Sequence, residues 1–177
     1  MTTFANRVIG AARLDSRIYE EVEADRQATL QAVVVVLFAS VAGGVGLLGL
    51  ESSAPALVLA RVAGSLLGWL SWATLTYLIG THFLSEPQTR ADVGELLRTL
   101  AFASTPGLFR ILGVIPHVGL TIYAVVSMWM LVAMIVAVRQ ALDYRHTWRA
   151  IAVCVVGWVL SLAIAAVIGN AFAAVVS

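Results

Sequence analysis

The 177-residue chain is 60% hydrophobic and 12% charged, with a mean hydropathy of +0.93. A soluble domain carries about twice that share of charge, so a water-solvated globule is excluded. One domain of membrane-spanning helices is expected, and the net charge of +1 gives no basic surface for nucleic acid.

Residues 1–26 come first. Phe4, Val8, Ala11 and Ala12 recur at helical spacing, as do Leu14, Ile18 and Val22, with Arg7, Arg13 and Arg17 among them. This predicts a cytoplasmic amphipathic helical arm, lying in the headgroup plane or docked on the bundle. Glu20, Glu21, Glu23 and Asp25 direct its second half toward water or protein, and Asp25 is placed to cap the first span. No cleavable signal peptide is expected, because the first apolar run starts only after Arg26.

Residues 27–177 are expected to form a five-helix transmembrane domain, making the fold an all-α polytopic bundle. Four charge-free runs are long enough to cross alone: Gln27–Leu50, Val62–Ser85, Ile111–Val138 and Ala150–Ser177. A shorter run, Thr99–Phe109, crosses only if Arg98 and Arg110 snorkel to opposite interfaces, which extends it to Glu95–Ile115. Gly113 and Pro116 then supply the turn into the next helix. With five spans, Arg7, Arg13, Arg17, Arg26, Arg90, Arg98, Arg139, Arg145 and Arg149 share one side, leaving Arg61 and Arg110 on the other. The positive-inside rule then places the N-terminus in the cytoplasm and the C-terminus outside.

Three features stand out within the spans. Ser104-Thr105-Pro106-Gly107 interrupts the third, where Pro106 removes a backbone donor and Thr105 is placed to cap a new half-helix. Broken spans line transport sites in carriers, but a kink satisfied by neighbouring hydroxyls is the plainer reading. Arg110 then points to the outer interface, while Arg139 and Asp143 are spaced to pair on one face at the cytoplasmic end. Small residues form two stripes: Gly64 and Gly68 in the second span, and Gly157, Ser161, Ala165, Gly169 and Ala173 in the last. Such stripes let helices approach closely, inside one protomer or between protomers.

No catalytic centre, cofactor site or metal site emerges. His82, His117 and His146 all fall near helix ends, and the single cysteine, Cys154, lies in an apolar run. Neither a HExxH nor a GxSxG pattern occurs. No Asp or Glu falls within an expected span, which disfavours ion-coupled transport.

Three stretches carry a resemblance: RLDSRIYEEVEADRQATLQAVVVV, LLRTLAFASTPGLFRILGVIP and MWMLVAMIVAVRQALDYRHTWRAIAVCVVGW. In this order and combination the chain resembles the bacterial branch of the Yip (Ypt-interacting protein) domain family. The resemblance implies five spans and a cytoplasmic N-terminus, and no defined activity for bacterial members. Eukaryotic relatives act in vesicle trafficking and bind Rab-type small GTPases through cytoplasmic regions. This chain has no long cytoplasmic region and no DLYGP-type segment, so small-GTPase binding is not carried over. The expected function is a non-enzymatic scaffold or adaptor of the bacterial cytoplasmic membrane, with lipids and other membrane helices, its own copies included, as partners. An accessory subunit of a larger, energy-converting complex is the first alternative. A small channel or carrier using the broken third helix is the second.

Overall fold

The computed structural model describes residues 2–49, 55–87, 89 and 92–176, with side chains at all of these except 49, 55–57, 165 and 168–176. Every regular element among them is helical: α1 (Phe4–Ala12), α2 (Ser16–Ala24), α3 (Ala28–Gly46), α4 (Pro55–Leu78), α5 (Val93–Ala103), α6 (Gly119–Ala141) and α7 (Thr147–Val176). A π-turn, Ile79–Phe83, extends α4, and a 3₁₀ helix, Thr105–Val114, follows α5. Four segments are long and apolar enough to cross a membrane: Ala28–Gly46, Val58–Phe83, Gly119–Ala141 and Thr147–Ile164. The fifth segment comes in two pieces, because Pro106 cannot donate to the α-helical ladder and the chain tightens into a 3₁₀ helix.

α3 is the central helix, half buried and more so than any other long span. The elements alternate in direction around it. Arg98 of α5 lies against the carbonyls of Val22 and Glu23, beside the start of α3. At the other end, Gly113 of the 3₁₀ helix packs on the Gly46 backbone at the end of α3. The two-piece segment therefore runs the length of α3. The approach at that end is so close that a Cβ on Gly46 would lie 2.0 Å from the Arg110 carbonyl oxygen, a position only glycine tolerates. The ends of α4 and α6 and the start of α7 meet at the arm's end of the bundle, where the Tyr144 hydroxyl donates to the Gly80 carbonyl at 2.8 Å.

α1 and α2 form a hairpin. Thr3 and Asp15 cap their N-termini, accepting from the backbone N–H of Asn6 and Arg17. Between the helices Leu14 takes φ 64°. Its N–H bonds to Ala11 and that of Asp15 to Gly10, closing α1 in a Schellman motif. The hairpin shares the bundle's core: Ala11, Tyr19 and Val22 are fully buried with Leu96, Leu100 and Val138. Arg7 pins it. Its guanidinium, almost wholly buried, pairs with Glu21 at 2.8 Å and Asp25 at 2.6 Å and donates to Gln31 of α3 at 3.1 Å. Asp25 also accepts from the Gln27 N–H at 2.9 Å, tying this cluster to the start of α3.

Hydrogen bonds from Thr2, then those from Arg7, hold the Glu21 carboxyl down at about 2. A carboxyl depressed in the native state stabilises above its unfolded value, near 4.5, and that contribution is lost as pH falls toward 2. Docking of the hairpin should therefore weaken on acidification through this window. Arg7→Ala should cost roughly 3 kcal/mol at neutral pH, the low end for removing one partner of a buried pair, because Glu21 stays partly exposed. Arg17→Gln should do little, since Arg17 stands in solvent beside Asp15. Thermal unfolding in mild detergent checks both, and equal effects would contradict the assignment.

Candidate functional site

The break at Ser104-Thr105-Pro106-Gly107 is satisfied from within. The Ser104 hydroxyl donates to the Leu100 carbonyl at 3.1 Å and the Thr105 hydroxyl to the Phe102 carbonyl at 2.6 Å. Thr105 thus turns back along α5 and does not cap the segment after it. Ser104, Thr105 and Pro106 are all fully or nearly buried. Such bonding is what an apolar surrounding demands of freed carbonyls.

Beyond the break, the tight 3₁₀ winding brings Arg110 into the bundle. Its Nη2 donates to the Ser127 hydroxyl of α6 at 2.9 Å, and the guanidinium stacks 4.8 Å from the centre of the Tyr123 ring. The side chain reaches within 3.9 Å of where a Gly43 Cβ would be. It lines a cleft of about 460 Å³ between α3, α4, α6 and α7, whose other polar groups include Ser40, Ser65 and Ser127.

A second concave region lies at the arm's end. Glu20 and Glu23 of α2 and Glu95 of α5 face Arg139, Gln140, Asp143 and Arg145 there. Gln140 donates to Glu20 at 2.6 Å, and Arg139 donates through Nε to the Tyr144 carbonyl at 3.4 Å. Asp143 sits at φ 52°, where it closes α6 in a second Schellman motif. Arg139 and Asp143 both line this pocket. Arg98 is buried beneath α2. Its Nε donates to the Val22 carbonyl at 3.1 Å and its Nη2 to that of Glu23, so a cation closes the negative end of α2.

The pairing of Glu86 with Arg149 is not anticipated by the sequence. They pair at 3.1 Å, and Arg149 also donates to the carbonyls of Leu84 and Ser85. They join the α4–α5 connection to the start of α7.

The small-residue stripes separate. Gly157 of α7 packs inside the protomer, where a Cβ would come within 3.4 Å of Trp72 and 3.3 Å of Thr76. Ser161 is half-buried. The expectation for Ala165, Gly169 and Ala173 falls outside the described side chains. Gly64 and Gly68 of α4 do the opposite: among the described residues nothing lies within 4 Å of a Cβ built on either. Among the described residues no group of His, Cys, Asp and Glu is placed to hold a metal ion.

Apolar helices alternating in direction, with charge gathered at one end, define a polytopic helical membrane protein. The family model of the Yip1 domain matches residues 15–168, so the chain belongs to the Yip1-domain family. Neither a curated protein nor a solved structure matches it.

The acidic pocket has a pH signature. Burial, then Asp143, Glu95 and Glu20 in turn, raise the Glu23 carboxyl to about 7. A carboxyl raised above its unfolded value, near 4.5, favours the native state while protonated, so stability falls as pH rises from about 4.5 to 7. Glu23→Gln should therefore raise the melting temperature at pH 8 and leave it unchanged near pH 4. Melting curves across that range provide the check; parallel profiles for variant and wild type would remove the assignment.

Proposed function

We propose that this protein is a non-enzymatic membrane scaffold or adaptor that assembles through the outer face of α4. The observation that carries the reading is the contrast between its glycines. Gly157 is covered by the protomer's own helices, whereas Gly64 and Gly68 are exposed with no described residue over them. Ala60 and Ala63 are also exposed on α4, and Leu67 beside the glycines is 66% exposed. A shallow groove of small residues offers little to lipid tails that a larger side chain would not offer better. It allows another helix to approach closely and make dense van der Waals contact. Membership in the Yip1-domain family supports an integral membrane protein acting through other membrane proteins.

The same reading takes the two-piece segment as a fifth span. Eleven α-helical and ten 3₁₀ residues extend roughly 36 Å if collinear, enough for a hydrocarbon core about 30 Å thick. Its packing along α3 from end to end supports the crossing. The hairpin of residues 1–26 then lies on the arginine-rich, cytoplasmic side of a bacterial inner membrane, against the transmembrane unit of 27–177. The exposed Phe4 and Ile9 of α1 suit contact with the headgroup region.

Gly68→Leu tests assembly directly. With no described residue within 4 Å of a Cβ at Gly68, the leucine should leave protomer stability nearly unchanged while reducing self-association or partner capture. Leu162→Ala, at an exposed position of α7, is the control. Cysteine crosslinking in native membranes, with melting temperatures in detergent, reads the two effects separately. Assembly that persists in Gly68→Leu would overturn the proposed interface.

A further inference from the structure

We propose that the cleft beside Arg110 is a binding site for an anionic lipid, which seats its headgroup charge on the guanidinium and an acyl chain along the apolar walls. The first argument is charge. A cation held among membrane helices is costly unless something compensates it. The partners of Arg110 are neutral: the Ser127 hydroxyl and the Tyr123 ring. Among the described residues no carboxylate pairs with it, and its Nε has no hydrogen-bond partner. Trp69, which lines the same cleft, likewise has an indole N–H without a partner. Groups of this kind are retained in a bilayer when something compensates them. Here two spare donors and one uncompensated positive charge share one cleft.

The second argument is shape. About 460 Å³ falls within the size range of small-molecule sites. The deeper walls are apolar, built by Val36, Ala39, Met130 and Met134. On α3 they run from Val36 to Ser40, roughly 6 Å at 1.5 Å per residue. The rim carries Met128 and Trp158, 68% and 58% exposed, so the cleft opens on the flank that faces lipid. A small soluble anion would leave those walls unfilled, and a neutral lipid would leave the charge unanswered. An anionic amphiphile matches both.

The inference does not depend on the scaffold interface, which lies on the exposed face of α4 and is read by assembly. Trp69, Trp72 and Trp158 line the cleft and serve as built-in reporters. The probe is brominated phosphatidylglycerol in phosphatidylcholine vesicles holding the full chain, with brominated phosphatidylcholine as the reference for general lipid contact. Wild type should show quenching with an apparent preference for phosphatidylglycerol of about tenfold, the scale of one charge-assisted contact. Arg110→Gln should abolish that preference, while Arg110→Lys, which keeps the charge and controls for folding, should retain part of it. Unlabelled phosphatidylglycerol should compete, and inorganic phosphate should not. Equal quenching by the two lipids in wild type, or a preference that survives in Arg110→Gln, would overturn the proposal. Competition by phosphate would also overturn it, by assigning the site to a free anion.

Discussion

The bundle depends on one close contact, that of the 3₁₀ helix with the glycine-rich end of α3. Backbone carbonyls freed beside Pro106 are buried and cannot turn to water, so they must be satisfied where they stand. Ser104 and Thr105 do this within their own helix. The chain can then continue as a 3₁₀ helix, which rises about 2.0 Å per residue against 1.5 Å for an α-helix and so gains length. That helix seats against Gly46 only because no side chain stands between the two backbones. The direction of Arg110 follows from this seating. A regular α-helix continued from α5 would carry position 110 to a different angle and depth.

The opposite end is held by charge. Arg7 locks the hairpin to itself and to α3, Arg98 closes the end of α2, and Arg149 ties the α4–α5 connection to α7. Each arginine presents a planar fork of donors, and backbone carbonyls at helix ends are among the acceptors each time Arg98 and Arg149 bind. The chain contains no lysine, so its basic residues all share this geometry. The acidic pocket between α2, α5 and α6 is the exception, where several carboxylates crowd and Glu23 holds its proton near neutrality. One end of the molecule is thus polar and sensitive to pH, and the spans carry almost no charge.

Much of this architecture is legible in the sequence. Charge-free runs locate the four long apolar helices because a charge within a span is expensive, and the proline within the fifth segment announces the break. Helix ends are less so: the second span begins at Pro55, earlier than its charge-free run, because Arg61 is carried within the helix. The destinations of Arg98 and Arg110 are not legible. Both look like snorkelling interfacial residues, and their actual partners lie 76 and 17 residues away in the chain. The glycine stripes show a related limit. Spacing says that Gly64, Gly68 and Gly157 each leave room for a neighbour, but only the packed bundle shows that, among the described residues, Gly157 has one and the other two do not.

The central claim is that the two-piece segment crosses the membrane as a fifth span, which sets the side of every later loop. Site-directed cysteine labelling tests it most directly. In a Cys154→Ala background, single cysteines at His117 and His146 flank α6, and an impermeant maleimide is applied to intact cells and then to permeabilised ones. The account predicts that position 117 is labelled from outside and position 146 only after permeabilisation. Labelling of position 146 in intact cells, with position 117 protected, would contradict it.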